Sequence, residues 1–176
     1  MEQDHIIEKM LDDNPLILFS LYTDSQAKYL VKYGKKIIGV MDDGIGENRI
    51  MENVLPEVYG MFWLWVLGAY EVVRTMSQHA ICFEKTIAAD IHKVKKTLHR
   101  IRIPFAKQEL PGFSRNNPNY IYDELSIHGI DDSKKDFTYK VLDREISTRD
   151  TILEFERFIH SIERRHIMGK MPLGSS

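Results

Sequence analysis

The chain has 176 residues, 43% hydrophobic and 28% charged, and this composition predicts one globular domain over residues 1–176 with a hydrophobic core. Cys82 is the only cysteine in the sequence, which excludes an internal disulfide and a cysteine-based zinc site. The formal net charge of −2 gives no chain-wide signal for nucleic acid or membrane. Because the N-terminal residues are acidic and polar and no apolar run reaches the roughly 20 residues of a bilayer span, we expect a cytoplasmic protein without membrane contact.

The first half of the chain has helical patterns separated by turn signals. Residues 3–12 predict a short amphipathic helix ended by Asn14-Pro15, and residues 16–22 fit either a strand or a buried helix. Thr23-Asp24-Ser25 offers N-caps for a second helix, whose apolar residues recur at helical spacing as far as Met41. Residues 42–47 predict a loop. The next helix is expected to begin near Asn48 or Pro56 and to end near His79.

The clearest helical pattern begins the second half of the chain, with apolar residues at spacings of three and four. Pro104 should end or kink this helix. The stripe consists of Ile87, Ile91, Val94, Leu98, Ile101 and Phe105. Residues 111–119 predict a loop, and alternation over 125–129 and 137–141 around a charged turn predicts an antiparallel hairpin. Ser147 and Asp150 have the spacing of a helix cap, and Ile152, Phe155, Ile159 and Ile162 should face inward from the last helix. Residues 168–176 suggest a frayed tail.

These patterns together predict a mainly α protein, an up-and-down bundle of four to five helices with a small antiparallel β-hairpin. The run Met61–Leu67 is apolar around the whole helix, so we expect its surplus face to join a homodimer interface. Glu163 and His166 have the Glu-x-x-His spacing of di-iron ligands, but a di-iron centre also needs more helix carboxylates. We therefore predict no metal site.

Positive charge is concentrated in the middle of the chain. Residues 61–110 hold eight Lys and Arg against four Asp and Glu, a net +4, whereas residues 1–60 hold six against eleven, a net −5. Basic side chains fill most positions that the apolar stripe of the clearest helix leaves free: His92, Lys93, Lys95, Lys96, His99, Arg100 and Arg102. Such a surface suits an RNA phosphate backbone, or an acidic protein surface such as the N-terminal third of a second copy.

The end of the long apolar helix carries Glu71, Arg74 and His79. An arginine can clamp a phosphate and a histidine can move protons near neutral pH, which suits phosphodiester cleavage. Residues five apart on a straight helix differ by roughly 140°. The two side chains therefore converge only if the helix loosens or ends between them, for which the polar Ser77-Gln78 is a candidate point, or if a second subunit completes the site. The alternative is structural: Arg74 pairs with Glu71, and His79 lies at the helix C-terminus, where the dipole favours it.

A long apolar helix that ends in Arg-x4-His, within a helical domain of this size, resembles the HEPN superfamily (higher eukaryotes and prokaryotes nucleotide-binding). The resemblance covers residues 25–105 and 147–167. It implies a metal-independent endoribonuclease of a toxin–antitoxin or phage-defence system, with no cofactor. It also implies a homodimer whose motifs face each other, RNA as the substrate, and an antitoxin or defence-system partner. Arg74 and His79 would be the catalytic pair and Glu71 a supporting acid.

The sequence departs from the HEPN pattern in two places. Thr75 follows the arginine where active members often have Asn, Asp or His, and the hairpin is not part of a minimal bundle. These departures keep a second hypothesis open. In that hypothesis the protein is a non-catalytic helical interaction or regulatory protein with a HEPN-like bundle.

Overall fold

Helices dominate the structure, a computed structural model that describes residues 2–46, 49–107, 109, 127–141 and 144–172. Within these residues lie five α-helices: α1 (Glu2–Asp13), α2 (Leu21–Gly44), α3 (Val54–Gln78), α4 (Lys85–Lys107) and α5 (Thr148–His160). The strands are β1 (Ile45–Gly46), β2 (Arg49–Ile50), β3 (Ile127–Asp131), β4 (Asp136–Val141) and β5 (Arg144–Ser147). Short 3-10 turns lie at Pro15–Leu18, Ala80–Cys82 and Arg164–His166. The predicted mainly α bundle with a small antiparallel β element is confirmed.

The ends of α2 differ from the prediction. The backbone of Ser20 is extended and its hydroxyl accepts the N–H of Thr23 at 3.3 Å, so the predicted caps at residues 23–25 are wrong and lie inside the first turn. The segment of uncertain assignment before it forms the 3-10 turn Pro15–Leu18 and then the start of α2. The predicted loop at 42–47 is also wrong for residues 42–46, since α2 continues to Gly44 and β1 pairs with β2. Residues 47 and 48 lie outside the described residues.

The central helix is α3, and α2 and α4 pack against it in antiparallel directions. The indole Nε1 of Trp65 donates to the carbonyl of Leu30 on α2 at 2.9 Å. On the other side, the ring of Tyr59 lies 5.7 Å from that of Phe105 near the end of α4. Consecutive antiparallel helices give the predicted up-and-down order for α2, α3 and α4.

The predicted apolar stripe of α4 is confirmed, because all six of its residues are buried. Pro104 lies inside α4, which continues to Lys107, so the prediction that Pro104 ends the helix is wrong. Among the described helices, none has the length and apolar character needed to cross a membrane.

The predicted hairpin is confirmed for β3 and β4, and β5 adds a third antiparallel strand that the sequence did not reveal. Leu125 lies outside the described residues, as does the predicted loop at 111–119. Tyr139 on β4 is fully buried, with its ring 5.6 Å from that of Phe62 on α3. Asp136 accepts the backbone N–H of Arg149 at 2.9 Å and thereby fixes the sheet to the start of α5. Burial raises the pKa of the Asp136 carboxyl.

The last helix begins as predicted, since the hydroxyl of Ser147 accepts the N–H of Asp150 at 2.8 Å. Its four predicted core residues are buried. The predicted frayed tail is wrong for residues 168–172. The N–H of Met168 donates to the carbonyl of Cys82 at 2.8 Å, and that of Met171 to Phe19 at 2.9 Å. Residues 173–176 lie outside the described residues.

Candidate nucleic-acid interface on α3 and α4

Arg74 forms an ion pair with Glu71, one turn earlier on α3. Its Nε donates to Oε2 of Glu71 at 2.7 Å, and its Nη2 lies 2.6 Å from the same oxygen. This is the structural alternative that the spacing predicted. The two side chains are 41% and 47% exposed, so the pair is at the surface and not in the core. An exposed pair contributes at most about 1 kcal/mol, and a phosphate can therefore compete with Glu71 for the guanidinium.

His79 lies immediately after α3, at its C-cap. α3 remains regular through Gln78 and ends there, so the helix ends between Arg74 and His79, which is one of the conditions under which the two side chains could converge. The His79 ring lies 6.3 Å from that of Phe19, which is fully buried. Among the described contacts, no hydrogen bond or ion pair joins Arg74 to His79. Each of the two predicted catalytic side chains has its own neighbour in the single chain, Glu71 for Arg74 and Phe19 for His79.

Ser77 connects the last turns of α3 to α4. Its hydroxyl oxygen accepts a hydrogen bond from Nζ of Lys95 at 3.0 Å and lies 3.2 Å from Nδ1 of His92. The hydroxyl can accept from one of these groups while it donates to the other, so it can orient both side chains.

Tyr70 makes the second connection between the two helices, two turns before Ser77. The guanidinium carbon of Arg102 lies 4.7 Å from the centre of the Tyr70 ring, within the range of a cation–π interaction. The His99 ring lies 5.7 Å from the same tyrosine. Tyr70 itself is only 7% exposed, so the side chains of Arg102 and His99 pack over its ring and cover it from solvent.

These contacts define a surface that we call the α3–α4 face. It consists of Tyr70, Arg74 and Ser77 from α3 and His92, Lys95, His99 and Arg102 from α4. Arg74 belongs to this face because it lies four residues after Tyr70 and three residues before Ser77. Residues at these spacings lie on the same side of a helix. Within the part of the chain that the structure describes, neither Lys95 nor Arg102 pairs with a carboxylate. Among the described residues, the charges of Lys95 and Arg102 are therefore not balanced by an ion pair, whereas Arg74 is paired with Glu71.

The other predicted RNA-binding residues lie elsewhere on α4. Arg100 lines a surface depression of about 300 Å³ on the side of α5, together with Glu145, Asp150 and Glu154. A rotation of 100° per residue places Lys93 on the same flank and Lys96 between the two flanks, and both are exposed. Of the seven basic residues from His92 to Arg102, six therefore form two rows with Lys96 between them, and one row borders acidic side chains.

The charge of the α3–α4 face affects His99. Partial burial lowers the pKa of His99, and the positive charges of Arg102, Lys95 and Lys107 lower it further. Burial and these three cations therefore favour the neutral form of the His99 imidazole.

Metal-ligating side chains do not converge among the described residues: no group of three or more His, Cys, Asp or Glu could hold a metal ion. The α3–α4 face is also not a deep cavity. A cavity of about 250 Å³ lies elsewhere, between α2 and α5 beside Asp12 and Asp24, and the residues of the face do not line it.

The sequence reasoning did not identify Tyr70 and Ser77 as part of this surface. Tyr70 is a buried core residue whose ring also contacts Arg102 and His99. Tyr70 lies four residues before Arg74 and Ser77 lies three residues after it, and this helical register is the signal that could have connected them. Compared with known proteins, the chain matches no described family, no curated protein and no solved structure.

Proposed function

We propose that this protein binds RNA and that the α3–α4 face holds the phosphate backbone. The observation that carries this proposal is the uncompensated charge of Lys95 and Arg102 around a partly buried His99. Lysine and arginine side chains that lack carboxylate partners bind phosphates with release of counterions, which favours association. Tyr70 supports this role because it holds Arg102 in place and so reduces the entropy lost on binding.

A more specific proposal follows from the HEPN resemblance: metal-independent RNA cleavage in a toxin–antitoxin or phage-defence setting. Arg74 would stabilise the negative charge on the reacting phosphorus. His79 would act as general acid or base around the attack of the ribose 2′-hydroxyl, in a homodimer whose two motifs face each other. The exposure of Leu64 (54%) and Trp63 (38%) on α3 supports such an assembly, since these apolar side chains would be covered in it.

The non-catalytic alternative is favoured by one specific observation. Arg74 has Glu71 as its partner, and His79 contacts Phe19, so each predicted catalytic residue has a structural role in the single chain. In this alternative the protein binds RNA or an acidic protein on the α3–α4 face and performs no chemistry.

A binding experiment tests the proposal directly. Fluorescence anisotropy with a labelled single-stranded RNA at low salt should detect binding by the wild-type chain. The double variant Lys95→Ala/Arg102→Ala should bind at least about tenfold more weakly, because it loses two phosphate contacts. Lys134→Ala, an exposed lysine in the turn between β3 and β4, is the matched control and should bind like the wild type. Absence of wild-type binding would refute the proposal.

Gel analysis of the same RNA after incubation with EDTA then separates the two forms of the proposal. Metal-independent cleavage should persist in the chelator, whereas the non-catalytic form predicts intact RNA with unchanged binding.

A further inference from the structure

We infer that Tyr22 and Tyr29 of α2 stack on bases of the same RNA strand whose phosphates bind the α3–α4 face. This inference rests on the proposed RNA binding and names its substrate class, which is single-stranded RNA. Unpaired bases expose their ring faces and stack on aromatic side chains, whereas the bases of an RNA duplex are stacked inside it.

The two tyrosines present their rings to solvent. Among the described tyrosine, tryptophan and phenylalanine residues they are the two most exposed, at 81% for Tyr22 and 65% for Tyr29. The Tyr29 ring lies 6.0 Å from that of the half-buried Tyr33, and the two ring planes differ by 14°. This stacking holds the Tyr29 ring in one orientation, which reduces the entropy lost when a base binds its outer face.

Positive charge borders these rings on α2. At 100° per residue, the three tyrosines lie within about 40° of one another around the helix. Lys36 and Lys32 lie about 20° and 60° further round from Tyr29. Both lysines are exposed, and among the described contacts neither pairs with a carboxylate. Exposed aromatic rings beside cationic side chains are the combination that binds single-stranded nucleic acid.

The packing of α2 turns the two tyrosines toward α3. Leu30 faces α3, where its carbonyl accepts the indole N–H of Trp65. Lys35 faces α5, with its Nζ 2.8 Å from Oε1 of Glu156. Both tyrosines lie about 80–100° from Leu30, on the side away from Lys35. They therefore border the outward side of α3 and not α5.

Tyr22 lies at the same end of the bundle as the α3–α4 face. Leu30 packs against Gly68, and α2 and α3 run in opposite directions. Tyr22 precedes Leu30 by eight residues, so it is level with the residues about eight positions after Gly68, at the end of α3. Ser77 lies there and accepts the hydrogen bond from Lys95 of α4 at 3.0 Å.

One strand can contact both surfaces by crossing α3 near Arg74. Neighbouring packed helices lie about 8–10 Å apart, so α2 and α4 are separated by roughly 16–20 Å across α3. About six nucleotides, at 3.4 Å or more each, span this distance. Leu64, whose exposure supports a dimer, lies ten residues before Arg74, about 15 Å along the helix axis. A strand that crosses at Arg74 therefore leaves Leu64 uncovered.

The test compares RNA binding by variants of the full chain, using fluorescence anisotropy with a labelled single-stranded RNA of about 12 nucleotides. Tyr22→Ala and Tyr29→Ala should each weaken binding about fivefold or more, the usual loss when one base–aromatic stack is removed. Tyr22→Phe and Tyr29→Phe keep the ring and should bind within about twofold of the wild type. Leu21→Ala is the matched control, because Leu21 is also exposed but lies about 100° away around α2, and it should bind like the wild type.

Two further measurements separate base stacking from phosphate contacts. Both alanine variants should keep the wild-type slope of log affinity against log salt, because a stacked base releases no counterion. An oligonucleotide of the same length with abasic riboses should bind the wild type about 25-fold more weakly or less tightly still, since two stacks are lost. The wild type and both alanine variants should bind this abasic strand with equal affinity. Thermal unfolding checks the fold of each variant, and the abasic comparison in the wild type decides the question if a variant does not fold.

Equal affinity of the wild type and both alanine variants for the base-containing RNA would overturn the inference. Equal affinity of the wild type for the two oligonucleotides would overturn it as well. A dimer that Tyr29→Ala converts into a monomer, with RNA binding unchanged, would assign the Tyr29 ring to an interface between copies. In these three cases RNA still binds, so the proposed function survives. A wild type that does not bind RNA removes both.

Discussion

The salt dependence of RNA binding gives the sharpest quantitative prediction for the α3–α4 face. Each phosphate contact adds about 0.7 to the slope of log affinity against log salt for a single strand. Lys95 and Arg102 are the two cations of this face that the described contacts leave without a carboxylate partner. The variant Lys95→Ala/Arg102→Ala should therefore have a slope smaller by about 1.4. Between roughly 50 and 200 mM salt, the difference in affinity between wild type and variant should shrink about sevenfold.

Titrations of a labelled single-stranded RNA at four or more salt concentrations would measure both slopes. Arg100→Ala is an informative comparison because Arg100 lies beside Glu145, Asp150 and Glu154, and a cation near three acids should contribute little to the slope. Lys134→Ala should leave it unchanged. If the double variant and the wild type have equal slopes, Lys95 and Arg102 do not contact phosphates and the assignment of this face is wrong.

Three further predictions concern packing, assembly and pH. Gly34→Ala should destabilise the fold by about 1–3 kcal/mol in urea unfolding, because the added Cβ would lie 2.6 Å from Cγ2 of Ile152. Gly39→Ala, whose Cβ would meet open space, is the control and should stabilise α2 by up to about 1 kcal/mol. Equal effects of the two substitutions would contradict this packing. Leu64→Asp should convert a dimer into a monomer in light scattering, and a wild-type monomer at tens of micromolar would argue against the dimer. RNA affinity should rise as the pH falls from about 7.5 to 5.5, since His99, with its lowered pKa, gains positive charge only below its usual range. The His99→Gln variant should have a smaller rise in RNA affinity. If its pH dependence equals that of the wild type, His99 does not contribute to RNA binding.

Secondary structure was predictable where apolar residues recur at one regular spacing along the chain. The stripe of α4 recurs every three or four residues, and all of its members are buried. The start of α2 was not predictable from periodicity, since Leu21 and Tyr22 are apolar yet 63% and 81% exposed in its first turn. The strand β5 was missed for a related reason: Arg144–Ser147 is a short, largely exposed edge strand without apolar alternation.

The sequence predicts which basic residues belong to the candidate site, but not which parts of the fold they face. The sequence identifies the basic residues of α4, and helical geometry alone divides them into two rows. Which row borders α3 and which borders the acids near α5 depends on the packing order of the bundle, and local patterns do not contain that information. The same limit applies to His79, whose contact with Phe19 joins segments sixty residues apart.

The most direct measurement of the central claim is photochemical cross-linking of the wild-type protein to single-stranded RNA, with the cross-linked peptides identified by mass spectrometry. RNA binding on the α3–α4 face predicts cross-links in peptides from the last turns of α3 and from α4, around Tyr70 and His99, and their loss in Lys95→Ala/Arg102→Ala. Cross-links confined to α2 or α5, or unchanged in the variant, would contradict the claim.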